Sequence, residues 1–303
     1  MKALRYHKDG FQLEHVPTPT PGPKDVLIKV HAVAITADEL TWPETTKREA
    51  PIPGHDIAGT VASVGSEVKG SIAEGDNVFA LTSFSRDGGA AEYMVASYLE
   101  IALMPQMSFE EAAAIPTSAL WVYQALRDHV HANSGQKVLV TGAGETLGGV
   151  GVMAVQLARA AQLIVSATCS ADKTDLVKSL GASQVFNYHK TSMDCLSHDY
   201  DLVIDCVGGE TLTQSFKLLK GGGQLISVAR PPTLDEKASR PDVDASFFIV
   251  DPDGDELASI ARMCDRGQIK PVLQTVLPLE EGAKGFEMLA GGHTKGKIVL
   301  KVV

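Results

Sequence analysis

A glycine-rich segment near the middle of the chain has the clearest chemical potential in the sequence. It follows an apolar run, precedes a segment of helical length, and reads Val138-Leu139-Val140-Thr141-Gly142-Ala143-Gly144-Glu145-Thr146-Leu147-Gly148-Gly149-Val150-Gly151. Glycines let a backbone turn tightly and approach a pyrophosphate, and the start of the next helix offers free N–H groups and a positive dipole end. This context predicts a dinucleotide site, although the three glycine slots fall on Thr146, Gly148 and Gly151, so the first is not glycine. A glycine turn that binds nothing is the alternative.

The end of the next predicted strand indicates which dinucleotide to expect. An NAD site has an Asp or Glu there, which binds the ribose 2′-hydroxyl. This chain instead has Ser166-Ala167-Thr168-Cys169-Ser170, with Lys173 shortly after. Ser170 and Lys173 would accept a 2′-phosphate, so the segment predicts NADPH as the cofactor. Asp172 favours the opposite interpretation, but it is expected inside the next helix, beyond the end of the strand.

The elements that must position these residues alternate between strand and helix from about Gln136 onward. Apolar runs predict strands at Lys137–Thr141, Leu163–Thr168, Gln184–Tyr188, Leu202–Val207 and Gln224–Ala229, and the segments between them predict helices at Gly149–Ala161, Ala171–Leu180 and Glu210–Leu219. Near-continuous apolar strands that alternate with helices indicate an α/β fold with a doubly wound parallel sheet, covered on both faces.

The first part of the chain has a different pattern. Short alternating runs such as Val26–Val30 and Gly59–Val64 are separated by turn clusters, which is typical of a β-rich, barrel-like domain. The chain then ends in a further predicted strand, Lys297–Val303. We therefore expect residues 1–123 and 268–303 to form one β-rich domain, with residues 124–267 inserted as the dinucleotide-binding domain.

Composition and charge argue against several classes of protein. The chain has 303 residues, 44% of them hydrophobic, which is ample for a packed core. A net charge of −10 disfavours a nucleic-acid partner, and no apolar run approaches the ~18 residues that span a membrane. The first ten residues lack a signal-peptide core, and four scattered cysteines do not form a disulfide framework. We expect a cytoplasmic protein with no nucleic-acid or membrane partner.

Further motifs along the chain resemble those of the medium-chain dehydrogenases/reductases. They are Pro53-Gly54-His55-Asp56-Ile57-Ala58-Gly59-Thr60-Val61, Gly75-Asp76-Asn77-Val78, Gly88-Gly89-Ala90-Ala91-Glu92-Tyr93, Gly148-Gly149-Val150-Gly151 with Ala154-Val155-Gln156-Leu157-Ala158, and Gly296-Lys297-Ile298-Val299-Leu300. Their order and spacing are most similar to those of the zinc-independent, quinone-oxidoreductase-like reductases. The resemblance implies a GroES-like catalytic domain around an inserted Rossmann domain, NADPH in the cleft between them, and a homodimer.

The resemblance also implies which residues surround the cofactor. The pyrophosphate loop would be Thr146, Leu147, Gly148, Gly149 and Val150; the 2′-phosphate would lie near Ser170, Lys173 and Tyr188; the nicotinamide end would lie along Val207, Val228, Ala229 and the strand Phe247-Phe248-Ile249-Val250. This chain departs from its relatives in two ways. It has a longer loop around Gly144–Leu147, and it has Trp121 where relatives usually have a threonine near the nicotinamide.

Zinc-dependent members of the same superfamily bind the metal through Cys, His and Cys, with an acidic residue after the His. The corresponding positions here are Thr36, His55 and Thr117, and the acid is Asp56. Hydroxyls are poor zinc ligands, and one imidazole cannot hold a catalytic zinc that needs about three protein ligands. The interval Gly75–Pro116, where a structural zinc lobe would fall, contains no cysteine. We therefore expect no metal, and His55 is either a structural histidine or a polar group that faces the substrate.

Without a Lewis acid, the accessible reactions are those whose acceptor is already electron-poor. Hydride addition to a quinone, or to the β-carbon of an enone or enal, delocalises the developing charge over the substrate. Candidate substrate-pocket residues are Thr36, Asp38, Trp42, His55 and Thr117, none of them an obligatory acid. Each has a plainer interpretation: Trp42 as an apolar wall, Asp38 as the cap of a turn, and the threonines as packing residues.

The sequence thus predicts a zinc-independent, NADPH-dependent reductase that acts on a small electrophilic acceptor, either a quinone or an α,β-unsaturated carbonyl. An enoyl reductase of a polyketide or fatty-acyl pathway is one alternative. A non-catalytic NADP(H)-binding sensor or scaffold is another, favoured by the altered glycine loop and Trp121, because a fold permits a function without proving it. Cys206, at the end of an apolar strand, is expected to be inert.

Overall fold

The structure, a computed structural model of the chain, describes residues 1–70, 72–144, 149–292 and 294–303. Its strands are β1 (Lys2–His7), β2 (Gly10–His15), β3 (Asp25–Ile35), β4 (Asp56–Val64), β5 (Asn77–Leu81), β6 (Tyr93–Ser97), β7 (Ile101–Leu103), β8 (Lys137–Thr141), β9 (Ile164–Cys169), β10 (Gln184–Asn187), β11 (Tyr200–Asp205), β12 (Leu219–Ser227), β13 (Asp244–Phe247), β14 (Leu273–Pro278) and β15 (Lys297–Lys301). Its α-helices are α1 (Pro43–Thr46), α2 (Phe109–Ala113), α3 (Pro116–Gln124), α4 (Val150–Ala160), α5 (Thr174–Leu180), α6 (Gly209–Leu218), α7 (Leu234–Ser239), α8 (Gly254–Asp265) and α9 (Gly282–Ala290). Among these described residues, no helix is long and apolar enough to cross a membrane.

The chain divides into two compact units. One comprises Met1–Leu120 with Asp251–Val303, and the other comprises Trp121–Val250. The segment 251–267, which the sequence assigned to the inserted domain, therefore belongs to the first unit. The reason is packing: α8 lies on β7, and Gly254 fits so closely that a Cβ there would be 2.5 Å from the carbonyl oxygen of Ile101. At the other end of α8, Asp265 accepts a hydrogen bond from the backbone N–H of Gln106 at 2.9 Å.

The first unit is built around a mostly antiparallel sheet in the order β14-β15-β3-β4-β5-β7, with β6 also paired to β3. The last strand, β15, pairs with β3, so the end of the chain does return to complete this unit. The inward side chains of these strands form one apolar core, with Ile28, Val33, Ile57 and Ile298 fully buried.

The pairing of β3 determines which polar residues meet at the edge of this core. Ile35 at the end of β3 lies opposite Ile298 of β15, and Ala34 lies opposite Asp56 of β4. Thr36 directly follows β3, and Lys297 opens β15. Three residues that are far apart in the sequence, Thr36, Asp56 and Lys297, are thereby brought together.

The second unit is a parallel six-stranded sheet in the order β10-β9-β8-β11-β12-β13. The strands predicted in this region are present with end shifts of a few residues, except that the run 247–250 is strand only at its first residue, because β13 ends at Phe247. Its core includes Leu139, Val203, Phe216 and Leu225. The chain enters the sheet at β8, builds outward to β10, and then crosses to β11. The strand order therefore reverses between β8 and β11, which is the point where doubly wound sheets bind ligands.

Candidate active site

The carboxyl ends of the parallel strands form the first part of the candidate site. Because all six strands of the second unit run in one direction, β8, β9, β10 and β11 end at the same edge. A cavity of about 480 Å³ lies at this edge; it is lined by Gly142, Thr168, Tyr188, Thr191, Ser192, Met193, Val207, Thr211 and Gln214. The lining residues follow the ends of strands on both sides of the order reversal, as expected for a nucleotide pocket.

The described part of the glycine turn has the geometry that a pyrophosphate needs. Gly142 and Gly149 have positive φ angles of 64° and 92°, which favour glycine. A Cβ on Gly151 would lie 2.4 Å from the carbonyl oxygen of Gly142, so α4 packs directly on the turn. Gly149 caps α4 without a side-chain hydrogen bond, and a helix start with uncapped N–H groups fits a phosphate. The predicted loop residues Thr146, Leu147 and Gly148 lie outside the described residues.

A buried aspartate that the sequence analysis missed organises the end of β11. Asp205 is fully buried, and its carboxylate accepts hydrogen bonds from the hydroxyls of Thr141 and Ser227, both at 2.8 Å. It also accepts from the backbone N–H groups of Val207 and Gly208. A lone acid at the end of the apolar run Leu202–Val207 was the available signal. The carboxylate fixes the loop that carries Val207 beside the cavity.

Cys206, next in the chain, is fully buried, and burial raises the pKa of its thiol well above the ordinary value. A thiol that stays protonated is a poor nucleophile, which agrees with the expectation that Cys206 is inert.

The residues expected near a 2′-phosphate surround the end of β9. The Ser170 hydroxyl contacts the Asp172 carboxylate at 2.5 Å, so the competing acid lies beside the predicted phosphate ligand. Asp172 and Lys173 belong to a 3₁₀ turn, Ala171–Lys173, which precedes α5. Lys173 is buried and its methylene groups run along Gly144, whereas Tyr188 is 42% exposed and lines the cavity.

The residues expected near the nicotinamide lie beyond β11, β12 and β13 of the same sheet. Val228 donates its backbone N–H to the carbonyl of Asp205 at 3.0 Å, and the half-buried Ala229 follows it. Val207 is 43% exposed, and Val250 is buried. These positions follow the carboxyl ends of neighbouring strands, as a dinucleotide lying across the edge would require.

An aromatic stack surrounds Phe248. The ring of Trp121 is stacked on one side at a centroid distance of 5.0 Å, and His129 stacks on Phe248 at 4.0 Å. Trp121 is only 2% exposed, and its indole Nε1 has no hydrogen-bond partner among the described residues. Such a donor costs about 1–3 kcal/mol when it is left unpaired in a protein core. Trp121 therefore places a polar N–H group without a described partner inside the second unit.

A buried ion pair forms the centre of the candidate substrate site in the first unit. Lys297 Nζ lies 2.6 Å from Asp56 Oδ2, and the two side chains are 2% and 1% exposed. The other carboxylate oxygen, Asp56 Oδ1, accepts the backbone N–H of Thr117 at 2.7 Å and its hydroxyl at 2.5 Å. Lys297 Nζ also donates to Thr36 Oγ1 in a longer contact of 3.4 Å. Two of the three positions aligned with zinc ligands, Thr36 and Thr117, are thus joined through Asp56 and Lys297, a lysine that the sequence analysis assigned to no site.

Glu39 is a second buried acid that sequence reasoning missed. Its two carboxyl oxygens accept the backbone N–H groups of Thr36 and Gly54, at 3.2 and 3.0 Å. Burial raises the pKa of Glu39 to about 8, although both hydrogen bonds and the charge of Lys297 oppose this change. The side chain ties the end of β3 to the loop before His55.

His55 lies in an aromatic cluster with Trp42 and Phe84. Its ring is 5.3 Å from Phe84 and 6.2 Å from Trp42, measured between centroids. The Thr82 hydroxyl donates to the carbonyl oxygen of His55 and lies 3.3 Å from Nδ1, so Nδ1 carries the proton and Nε2 is an acceptor. Burial, together with the charge of Arg48, lowers the pKa of His55 to about 3. A neutral imidazole whose Nε2 has no partner among the described residues accepts hydrogen bonds and does not polarise a carbonyl.

Asp38 and Trp42 occupy the turn between β3 and α1. The carbonyl oxygen of Asp38, and not its exposed carboxylate, accepts hydrogen bonds from the backbone and hydroxyl of Thr41. The Asp38 side chain therefore does not cap the turn as expected, and its backbone carbonyl accepts these hydrogen bonds. Trp42 precedes α1 and meets Phe84 edge-on at 4.7 Å, which agrees with a role as an apolar wall.

The donor set of this site does not fit a zinc ion. Thr36 and Thr117 offer hydroxyls in place of thiolates, and the Thr117 hydroxyl is committed to Asp56. His55 offers one nitrogen, and the ammonium of Lys297 already neutralises Asp56. A second cation there would be repelled and would find one good ligand where about three are needed.

Comparisons with known proteins show which families and structures this chain resembles. Residues 22–106 match a family model described as alcohol dehydrogenase GroES-like domain, and residues 180–300 match one described as zinc-binding dehydrogenase. A probable zinc-binding oxidoreductase, mitochondrial, of Arthroderma benhamiae is 36% identical over 94% of this chain and 92% of its own length. The NADPH-dependent alkenal/one oxidoreductase, chloroplastic, of Arabidopsis thaliana is 30% identical over 91% of this chain and 71% of its own length. The structure of the quinone oxidoreductase from Coxiella burnetii superposes with a TM-score of 0.90 at 28% identity, covering 100% of this chain and 99% of that one.

Proposed function

Because the chain belongs to the medium-chain dehydrogenase/reductase superfamily, in its quinone-oxidoreductase-like group, we propose that it reduces quinones or α,β-unsaturated carbonyls with NADPH and without a metal ion. The buried Lys297–Asp56 pair carries this proposal. It contacts Thr36 and Thr117, two of the three positions where zinc-dependent relatives have their ligands, and it leaves a site of hydroxyls and a neutral histidine. Such a site favours acceptors that stabilise their own developing charge.

The edge of the parallel sheet fits a nicotinamide dinucleotide. Gly149, Gly151 and the start of α4 would bind the pyrophosphate, and the cavity beside Thr168 and Tyr188 would hold the nucleoside. When bound, the reduced cofactor supplies a hydride from C4 of its nicotinamide ring. The protein's part is to hold the dinucleotide across the strand ends and to exclude water around the reacting groups.

NADPH is the favoured form because β9 ends in Cys169 and Ser170, without the acid that binds a ribose 2′-hydroxyl. Lys173 supplies a positive charge just beyond the strand end. Asp172 contacts Ser170 and would repel a 2′-phosphate, so the balance between these two charges decides the preference. The Arabidopsis relative, whose name states NADPH dependence, supports the same choice.

The acceptor is proposed to be a quinone, enone or enal because the described polar groups offer hydrogen bonds and no Lewis acid. His55 is neutral, and the ring of Trp42 beside it supplies an apolar wall. A simple ketone would leave an alkoxide that this site stabilises poorly. An enone spreads the charge onto an enolate, and a quinone spreads it onto its second oxygen.

Steady-state oxidation of NADPH, followed at 340 nm, tests the proposal. The acceptors would be 1,2-naphthoquinone, 9,10-phenanthrenequinone, 2-hexenal and a crotonyl thioester, each measured also with NADH. We expect turnover of the quinones or the enal, with NADPH preferred. Metal analysis of the same preparation should show no stoichiometric zinc, and a chelator should leave the rate unchanged.

The other outcomes separate the alternative functions. Turnover of the thioester alone would favour an enoyl reductase of a fatty-acyl or polyketide pathway. Tight binding of NADPH with no turnover of any acceptor would favour a sensor or scaffold. One zinc per chain, with activity lost on chelation, would overturn the metal-free proposal.

Assembly and location remain predictions. We propose a cytoplasmic homodimer that acts on a small molecule and has no nucleic-acid or membrane partner. Light scattering of the purified chain would measure its mass against the 32.1 kDa monomer, and cell fractionation would test its location.

A further inference from the structure

The Thr36 hydroxyl lies beside the buried positive charge of Lys297. Thr36 is half-buried at the end of β3, and Lys297 Nζ approaches its Oγ1 at 3.4 Å. An ammonium can only donate, so Thr36 Oγ1 is the acceptor in this contact. Its own O–H proton points elsewhere and has no acceptor among the described residues. Thr36 therefore has a hydrogen bond available for a bound molecule.

Thr117 differs from Thr36 in this respect. Its hydroxyl lies 2.5 Å from Asp56 Oδ1, and a carboxylate can only accept, so the Thr117 proton is committed. Of the two threonines at positions aligned with zinc ligands, only Thr36 thus has a hydroxyl that can donate to a substrate.

The charge beside Thr36 is fixed in place and poorly screened. Lys297 is 2% exposed, so water does not weaken its field. Asp56 offsets that field only partly, because its negative charge is shared with two hydrogen bonds from Thr117. A hydroxyl that accepts from a cation becomes a stronger donor, because hydrogen bonds in a chain polarise one another.

We propose that Thr36 donates a hydrogen bond to the carbonyl oxygen of the acceptor, and that the buried ammonium of Lys297 strengthens this donor. The proposal rests on the proposed function. In an enone, the C4–H bond of bound reduced nicotinamide would break as its hydride forms a C–H bond at the β-carbon, and the nicotinamide would be oxidised. The C=C electrons would become the double bond to the carbonyl carbon, and the C=O π electrons would move to oxygen to give an enolate. Thr36 keeps its proton and binds this oxygen more tightly than it binds the ketone. The α-carbon then takes a proton from water. Thr36 is the catalytic residue here, and Lys297 is a positioning residue.

The first test compares Thr36→Val with Thr36→Ser, assayed with the best enone or quinone of the panel. Valine keeps the shape and removes the donor, so kcat should fall about 10- to 100-fold, at or just below the lower end of the roughly 100- to 1,000-fold losses seen when a single donor to an oxyanion is removed. Serine keeps the donor and should retain kcat within about threefold. The dissociation constant for NADPH, measured by calorimetry, should not change in either variant. Thr60→Val, an exchange on β4 away from the site, is the matched control and should behave like wild type.

The second test concerns Lys297 and avoids leaving a buried charge unpaired. The double variant Asp56→Asn/Lys297→Met replaces both charges by neutral groups of similar size, which buried pairs often tolerate. Its kcat should fall toward that of Thr36→Val, and adding Thr36→Val to it should cause little further loss, because the two changes remove the same interaction.

Two results would overturn the proposal while leaving the proposed function intact. One is a Thr36→Val enzyme with kcat within threefold of wild type. The other is losses that multiply fully when Thr36→Val is combined with the double variant. If the wild-type protein itself turns over none of the acceptors, the proposed function fails first.

Discussion

Replacing Glu39 with glutamine should change how the stability of the first unit depends on pH. Burial raises the pKa of this carboxyl from 4.5 to about 8 in the folded chain. The folded state therefore keeps a proton that the unfolded state has released, so stability falls as the pH rises from about 4.5 toward 8 and levels off above that. Each pKa unit corresponds to about 1.4 kcal/mol, so the penalty in the wild type reaches about 5 kcal/mol at high pH, and about 2 kcal/mol of it develops between pH 6 and pH 8.

The assay is urea unfolding of wild type and Glu39→Gln at several pH values between 6 and 8. The chain has two tryptophans, Trp42 in the first unit and Trp121 in the second, so a Trp121→Phe background makes Trp42 fluorescence report on the first unit. Glutamine does not titrate, so its stability relative to wild type should rise by about 2 kcal/mol over this range. Lys297 and Asp56, the charged groups that face Glu39 from β15 and β4, are present in both proteins and cancel in the comparison.

The exposed Glu67→Gln variant is the matched control, and its curve should run parallel to that of wild type. Parallel curves for Glu39→Gln would refute the reasoning. They would mean that the two N–H donors and the Lys297 charge outweigh burial, and that Glu39 is ionised in the folded protein.

The buried ion pair, the glycine turn and the expected 2′-phosphate site each give a further prediction. Lys297→Met should lower the unfolding free energy by about 3–5 kcal/mol, because it leaves Asp56 buried and unpaired. Lys284→Met breaks an ion pair with Glu281 in which the side chains are 61% and 45% exposed. It should lower the unfolding free energy by less than ~1 kcal/mol in the same urea titration, and equal losses for Lys297→Met and Lys284→Met would contradict the argument. Gly151→Ala should weaken NADPH binding at least about tenfold, measured by calorimetry, since the new Cβ would lie 2.4 Å from the carbonyl oxygen of Gly142. The control is Gly221→Ala, whose Cβ would be 3.7 Å from its nearest neighbour, and this variant should bind NADPH like wild type. Lys173→Ala should raise the dissociation constant of NADPH far more than that of NADH, and equal changes would refute the phosphate assignment.

The elements of the second unit could be predicted because their signals are local. Apolar runs such as Lys137–Thr141 and Leu202–Val207 can be buried on both faces only in a parallel sheet, and the segments between them have helical length. The structure has β8 at the predicted bounds, and β11 begins and ends two residues earlier than predicted. The strand expected over 247–250 was wrong beyond Phe247, because a short apolar run is equally compatible with the aromatic stack that Phe248 forms.

The assignment of α8 could not be predicted for a different reason. Its amphipathic pattern predicts a helix but does not identify the surface that its apolar face contacts. That surface is β7, through a close approach of Gly254 to Ile101, and a contact between residues so far apart leaves no periodic trace in the sequence. Domain boundaries drawn from patterns alone therefore shift by the length of such a helix.

The candidate site was predicted in part. Thr36, His55 and Thr117 were identified because motifs place them, and the structure brings Thr36 and Thr117 into contact with one ion pair. Glu39 and Asp205 were missed, since an acid in a turn or at the end of a strand usually faces solvent, and only the fold shows that these two are enclosed by hydrogen-bond donors.

The pairing of Asp56 with Lys297 compensates the buried acid of the motif around His55. A carboxylate that is 1% exposed must be neutralised, because a buried, unpaired charge costs several kcal/mol. The pairing of β15 with β3 brings an ammonium to this carboxylate from 241 residues along the chain, so the compensating cation is covalently part of the protein. A covalently held cation cannot take a substrate oxygen as a ligand, as a metal with an open position does. We propose that its influence reaches a substrate through the Thr36 hydroxyl, to which the ammonium also donates.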